Sequence, residues 1–263
     1  YWKLSKILFL KKQKAKVKHF PYEIGKTKLK NLDLEKFNKF IITDVASNLI
    51  ADDLELIRDN QILYTDHHPR DTPIPKEILE LVTLDKGYIP ASRTAGELTK
   101  LKPWLSLTGT ITDAGDLYPE NQNFIDKNLK EINMNLDEFK QKISSTVTNF
   151  LIYFDKDFDK AFELLEKIES VQEISKLKQY SEPVENEIQK FVEEYETKKE
   201  RLGSINYYYF EPHYSIKVEV IGILSRKKPD DIYIFASPKK DKKNISLSAR
   251  SQTKKLDMGD IIG

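Results

Sequence analysis

The sequence predicts an α/β protein whose N-terminal part is built on a parallel sheet, and two observations support this. Two continuous apolar runs, KFIITD (39–44) and QILYTD (61–66), flank the helix-like stretch LIADDLELIRDN (49–60). Such runs suit strands that are buried on both faces, as in a parallel sheet. Each run ends on an aspartate, so Asp44 and Asp66 are expected at the strand ends, where open α/β sheets bind ligands.

The remaining elements follow in order along the chain. The first segment predicts an amphipathic helix and the second a short strand; a further apolar segment, a helix and a closely packed stretch of small residues around Asp113 come later. These segments are YWKLSKILFLKK (1–12), KAKVKHF (14–20), ELVTL (80–84), ASRTAGELTK (91–100) and WLSLTGTITDAGD (104–116).

Composition changes twice along the chain and suggests three parts. From residue 123 to about Gly203 the sequence is rich in glutamate and lysine and helical in pattern, with a break at Pro183, which indicates a connector rather than a core. Short β-rich segments follow, namely INYYYF, IKVEVIGIL, DIYIFAS and NISLSAR. We therefore predict an N-terminal domain at 1–150, a helical connector at 151–203 and a smaller domain at 204–263.

Charge and cysteine content exclude several classes of protein. The 263 residues carry 43 Lys and Arg against 42 Asp and Glu, so any contact with nucleic acid must be local. The absence of cysteine excludes disulfide scaffolds, thiolate zinc sites and cysteine nucleophiles, which leaves histidine and carboxylate as metal ligands. No apolar run approaches the roughly 20 residues of a membrane span, and we expect a cytoplasmic protein.

The tripeptide Asp66-His67-His68 is the strongest chemical signal in the sequence. Two of only four histidines stand together directly after a predicted strand. Imidazole beside carboxylate suits manganese or zinc, and phosphoryl chemistry needs cations where charge develops. The tripeptide alone leaves open a plain polar loop.

Three segments together resemble the DHH phosphoesterase superfamily, which includes RecJ exonucleases, nanoRNases and family II pyrophosphatases. FIITDVASN, LYTDHHP and SLTGTITDAGD match the order and spacing of its motifs, and NISLSARSQTKKLDMGDII resembles the phosphate-gripping segment of the DHH-associated C-terminal domain. The resemblance covers nearly the whole chain. It implies a DHH domain with a parallel sheet and a C-terminal α/β domain with a mixed sheet, in which IKVEVIGIL is a helix although its propensities favour a strand.

The resemblance also implies roles for five residues near the strand ends. Asp44 would bridge two Mn²⁺ ions, with Mg²⁺ as the alternative, and His67 and Asp113 would complete the protein ligands of the second ion. Asp66 would orient the neighbouring imidazole, and His68 would contact the scissile phosphate or assist the leaving oxygen. A water shared by the two ions would be the nucleophile.

In the C-terminal segment, Arg250 matches the arginine that holds a substrate phosphate, with Ser248 and Ser251 as hydroxyl donors. Without the upstream motifs, SLSARS would be read as an edge strand with alternating polar residues. Two family motifs have no counterpart in the printed sequence: the first aspartate pair, which supplies ligands for the first ion, and a GGGH-like stretch after the arginine. We expect both to lie beyond the printed ends.

For several weaker features we prefer a structural role, or simple exposure to solvent, over a role in binding. SRKKP (225–229) is similar to a phosphate-binding run of family II pyrophosphatases but is interpreted as a solvated turn. The run Tyr207–Phe210 could stack bases, yet a strand with one face in the core is favoured. His213 is expected to be structural and His19 is given no role. Lysines that could line a backbone-binding path are interpreted as solvated faces: Lys11, Lys12, Lys14, Lys16, Lys239, Lys240, Lys242 and Lys243.

The function that follows is a metal-dependent phosphodiesterase or exonuclease releasing nucleotides from single-stranded DNA, RNA or short oligonucleotides. Its expected partners are single-stranded nucleic acid and replication or repair proteins, and no membrane. Two alternatives stay open: a DHH-fold scaffold of a replication or repair complex whose site is incomplete, and a phosphatase of small nucleotides or pyrophosphate.

Overall fold

The computed structural model describes residues 36–68, 72–80, 87–100, 102–155, 157–239 and 243–253. Within these ranges the protein is α/β, with a three-stranded parallel sheet, many helices and a separate mixed sheet of four strands. This confirms the predicted α/β class, the parallel sheet and the mixed sheet. The predicted helix at 1–12, the predicted strand at 14–20 and most of ELVTL lie outside the described residues.

The elements are numbered here in chain order. The strands are β1 (Lys39–Thr43), β2 (Gln61–Thr65), β3 (Leu79–Glu80), β4 (Glu200–Leu202), β5 (Ile205–Tyr209), β6 (Ile232–Pro238) and β7 (Ile245–Ser251). The α-helices are α1 (Ser47–Leu56), α2 (Ala91–Thr99), α3 (Pro103–Thr112), α4 (Gln122–Ile132), α5 (Leu136–Phe139), α6 (Ser145–Phe154), α7 (Phe158–Glu166), α8 (Lys178–Lys198) and α9 (Lys217–Lys227). Short 3₁₀ turns at Gly115–Leu117, Pro119–Asn121 and Val171–Leu177 and a π turn at Lys140–Ser144 complete them.

The chain divides into two compact units. The first contains the described residues up to Ser145 together with Glu166–Glu173, and the second contains Thr146–Leu165 and the residues from Ile174 onward. Within the described residues, no helix combines the length and the apolar character that crossing a membrane requires.

The first unit is organised by its parallel sheet, in the order β1-β2-β3. Strands β1 and β2 pair in register from Lys39↔Gln61 to Thr43↔Thr65. Side chains of β2, of the crossover helix α1 and of the segments next to these elements form the core of this unit: Val45, Ile50, Leu54, Ile57, Ile62, Tyr64 and Ile78. The carboxyl ends of β1 and β2 therefore lie next to each other at one edge of the sheet.

The second unit is built on the mixed sheet, in the order β4-β5-β6-β7, with β5 and β6 parallel and the other pairs antiparallel. IKVEVIGIL forms helix α9, as the resemblance implied and against the strand propensity of its residues. The segment forms a helix because it connects β5 to β6, and two adjacent parallel strands need a crossover connection between them.

Helix α8 differs from the sequence prediction of a connector without a core. Its apolar side chains line one face and pack with those of the sheet and α9, including Tyr208, Tyr233 and Phe235. These side chains are Val184, Ile188, Phe191, Val192 and Tyr195. The spacing of these residues is that of an amphipathic helix. The many glutamates and lysines on its other face make the segment polar on average, which is why its composition alone did not indicate a core helix.

The tyrosine run of β5 divides between the two faces of the sheet, because strand residues alternate. Tyr208 and Phe210 are buried in the core, Tyr207 is half-buried and Tyr209 is 41% exposed. The strand thus has one face in the core, as the sequence favoured.

Gly96 marks a close approach between α2 and α3, and its replacement gives a test of this packing. A Cβ at Gly96 would lie 2.5 Å from both the Cβ and the Oγ of Ser106. We expect Gly96→Ala to lower the free energy of unfolding by about 1–3 kcal/mol through overpacking, although alanine is the better helix former by about 1 kcal/mol. Urea denaturation measures this.

The matched control lies on the same helix. Leu98 is 51% exposed, so Leu98→Ala should change the stability by no more than about 0.5 kcal/mol. Equal stability of Gly96→Ala and wild type would contradict the close packing of the two helices.

Candidate functional site

The edge of the parallel sheet brings Asp44 beside the Asp66-His67-His68 segment. Asp44 follows β1 directly and extends the strand pairing, since its backbone N–H donates to the Thr65 carbonyl at 3.0 Å. Its φ of 56° is left-handed, a conformation that aspartate tolerates better than most residues. The adjacent strand ends therefore present these side chains together.

Asp113 reaches the same place from the end of α3. Its backbone N–H donates to the Gly109 carbonyl at 3.2 Å, which closes the last turn of the helix. Its own carbonyl accepts a hydrogen bond from the Tyr88 hydroxyl at 3.0 Å. The helix end and Tyr88 thus fix the backbone that carries this carboxylate.

Three ligand-type atoms converge on one another. The Nε2 of His67 lies 3.2 Å from Oδ1 of Asp44 and 3.4 Å from Oδ2 of Asp113. The His67 side chain is 6% exposed, whereas those of Asp44 and Asp113 are 43% and 42% exposed. The imidazole is thus buried, whereas the two carboxylates are partly exposed and can be reached by an ion from solvent.

Electrostatics couple these three residues. Burial alone would raise the pKa of Asp44, but the hydrogen bond and positive charge of His67 outweigh it and lower the pKa. Burial alone would lower the pKa of His67, but the hydrogen bond to Asp44 and the charge of Asp113 raise it. The pKa of Asp113 is raised by burial and, further, by the charge of Asp44, which the attraction of His67 does not offset.

Four Asp and His residues at this sheet edge could hold a metal ion. Asp44, Asp66, His67 and His68 each offer one ligand atom, and those four atoms lie within 4.8 Å of one another. Asp113 adds a further carboxylate beside the same nitrogen of His67. Oxygen and imidazole ligands suit Mn²⁺, Zn²⁺ or Fe²⁺, and positive charge at this point would relieve the repulsion between the Asp44 and Asp113 carboxylates.

Asp66 and His68 form a separate pair. Oδ1 of the buried Asp66 lies 2.6 Å from Nδ1 of His68, and the Tyr64 hydroxyl lies 3.2 Å from its Oδ2. The imidazole that Asp66 orients is therefore that of His68, two residues along, rather than that of His67. A carboxylate on Nδ1 leaves Nε2 of His68 for a substrate. The Nδ1 of His67, by contrast, is buried without a hydrogen-bond partner among the described residues.

Two tyrosines of the site were missed from the sequence. Tyr64 donates to the Val45 carbonyl at 2.5 Å and contacts Asp66. Its position two residues before Asp66, on the same side of a strand, is a pattern that could have revealed it. The Tyr88 ring lies against that of His67, with 5.0 Å between centroids. No pattern around Tyr88 in the sequence points to the site.

The predicted phosphate-binding residues lie in the second unit, on β7. Arg250 and Ser248 share one face of the sheet, and Arg250 lies against α9, where a Cβ on Gly222 would be 3.2 Å from its Nη1. Burial and the neighbouring Arg226 lower the pKa of Arg250, while Glu219 acts in the opposite direction. Ser251 falls on the other face, because strand residues alternate, and its hydroxyl donates to the Thr253 carbonyl at 3.0 Å. Ser251 therefore does not stand beside the Arg250 side chain.

Comparisons with known proteins add nothing to this geometry: no protein-family model and no curated protein matches the chain.

Metal binding at this site should be visible as stabilisation. A ligand of the folded state at a hundred times its Kd stabilises by about 2.7 kcal/mol, so we expect Mn²⁺ to raise the Tm of the wild-type protein. Asp113→Asn should remove that rise, whereas Asp137→Asn, at an exposed position on α5, should keep it. Differential scanning calorimetry with and without Mn²⁺ measures both.

The same variant should behave differently without metal. Burial raises the pKa of Asp113. At neutral pH the ionised carboxylate is therefore less favourable in the folded state than in the unfolded state, and it lowers the free energy of unfolding. Asp113→Asn removes that charge, and we expect its Tm in a chelator to equal or exceed that of the wild type. A clear loss of stability in the chelator would show that the carboxylate supports the fold.

Proposed function

We propose that the protein is a DHH-family phosphoesterase, dependent on Mn²⁺ or a similar divalent ion, that releases nucleotides from single-stranded nucleic acid or short oligonucleotides. One observation carries the proposal. Asp44, His67 and Asp113 come from three separate sequence motifs, and their side chains meet within 3.4 Å of a single imidazole nitrogen.

Asp44, His67 and Asp113 would hold the metal. When bound, divalent ions lower the pKa of a coordinated water and neutralise charge on the phosphoryl oxygens. The chain's own contribution is to fix the ligands: Asp44 through the β1–β2 pairing and Asp113 through the end of α3. His67 is held by burial between them.

His68 is assigned the contact with the reacting phosphate. Asp66 is buried, and its carboxylate lies 3.2 Å from the Tyr64 hydroxyl and 2.6 Å from Nδ1 of His68. This support fixes the ring and favours a proton on Nδ1. The Nε2 atom can then accept a hydrogen bond or, in the protonated ring, donate a proton to the leaving oxygen.

Arg250 is assigned to substrate capture, with Ser248 on the same face of β7. A guanidinium can hold a phosphate through two parallel hydrogen bonds. Its packing against Gly222 limits the positions of the side chain, which suits a group that must meet a phosphate in one orientation.

Turnover tests the metal ligands directly. We expect the protein to release mononucleotides from a short single-stranded DNA or RNA only with Mn²⁺ or Mg²⁺, and Asp113→Asn to reduce kcat/KM by at least about 100-fold, since the loss of supporting residues alone costs 10–100-fold. Asp137→Asn is the control and should retain wild-type rates. Absence of metal-dependent release from both DNA and RNA would refute the proposal and favour the scaffold.

Arg250→Ala should separate capture from chemistry. Hydrogen bonds to charged groups contribute about 1.5–3 kcal/mol, so KM should rise by about 10- to 150-fold while kcat changes little. Arg58→Ala, which removes an exposed arginine paired with Glu55, is the control. A fall in kcat at unchanged KM would contradict the assignment of Arg250 to capture.

A further inference from the structure

An aromatic pair, Tyr88 and Tyr118, borders the candidate metal site within the first unit. The Tyr88 ring lies 5.0 Å from that of His67, and the Tyr118 ring stacks on Tyr88 with 4.4 Å between centroids and 23° between planes. The pair thus extends outward from the ligand imidazole by two rings.

Tyr88 is fixed at three points. Its hydroxyl donates to the Asp113 carbonyl at 3.0 Å, its backbone N–H donates to a carboxylate oxygen of Glu120, and its carbonyl accepts from Nδ2 of Asn121 at 2.9 Å. With the His67 ring beside it as well, Tyr88 has a structural role in holding the site together.

Tyr118 is fixed differently. It is half-buried, its only ring contact among the described residues is Tyr88, and its hydroxyl makes no hydrogen bond to any of them. The backbone turns on either side keep it in place, through N–H···O bonds from Tyr118 to Gly115 and from Asn121 to Tyr118. A half-buried aromatic ring that the backbone holds in place can offer its free face to a ligand.

We propose that the Tyr88–Tyr118 pair is a stacking platform for the base attached to the phosphate that the site binds. The inference rests on the proposed function and narrows its substrate: the ligand is a nucleotide of any base, and base-free phosphates such as pyrophosphate bind less well. Stacking on an aromatic side chain contributes about 1–3 kcal/mol per base and tolerates every base, since each has a π-face.

The competing explanation is that the pair only supports His67 and Asp113. Tyr88 does contact both residues, but among the described residues no ring contact or hydrogen bond joins the Tyr118 side chain to either of them. Variants of Tyr118 therefore separate base binding from support of the metal ligands, whereas variants of Tyr88 would confound the two.

Isothermal titration with adenosine 5′-monophosphate and ribose 5-phosphate, in the presence of Mn²⁺, tests the platform without requiring turnover. The two probes share the phosphate and the sugar and differ in the base. We expect the wild type to bind the nucleotide about 5- to 150-fold more tightly. Tyr118→Ala should bring the two affinities together, and Tyr118→Phe, which retains the ring, should preserve the preference.

Tyr209→Ala is the matched control, because Tyr209 is an exposed tyrosine of the second unit; it should keep the wild-type ratio. Equal affinities in the wild type, absence of binding of both probes, or a preference that survives in Tyr118→Ala would overturn the proposal, as would a loss in Tyr209→Ala instead. Turnover is assayed separately. A base preference that depends on Tyr118 without any turnover would refute the proposed function alone, and turnover without a base preference would refute the platform alone.

Discussion

The parallel pairing of β1 with β2 is the constraint on which the candidate site depends. Because the two strands pair in register up to Thr43↔Thr65, the residues that follow them leave the sheet side by side. If the pairing shifted by one residue, each side chain of β2 and of the segment after it, including Asp66 and His67, would move to the other face of the sheet. The apolar side chains of β2 and α1 resist such a shift, since it would expose them. The hydrophobic core thus sets the positions of the polar groups at the edge.

Much of this first unit could be predicted from the sequence. An apolar run that ends on aspartate predicts a strand with a polar residue at its carboxyl end, and in the structure Asp44, Asp66 and His67 do follow two adjacent strand ends. Tyr88 could not be predicted, because it is 21 positions from His67 in the sequence and the contact of the two rings arises only from the tertiary fold. Local sequence carries no periodic signal for such a contact.

The second unit shows where local rules and tertiary context disagree. Helix α9 has the β-branched residues of a strand, yet the parallel pairing of β5 with β6 requires a crossover helix between them. The charged residues of helix α8 outnumber its apolar ones, which favours the prediction of a connector, although its apolar face packs into the core. Successive side chains of β7 point to opposite faces of the sheet, so the side chains of Arg250 and Ser251 lie on different faces. A comparison of sequence motifs does not take this alternation into account.

The left-handed backbone of Asp44 bears on how this position can change over time. Its φ of 56° is accessible to aspartate, asparagine and glycine with little strain, but it penalises β-branched and bulky residues. Among residues that conform easily, only aspartate carries a negative charge. A glutamate would keep the charge but strain the main chain and overreach His67 by one methylene. The substitutions that the backbone accepts most easily are therefore asparagine and glycine, and either one removes the negative charge at this position in a single step.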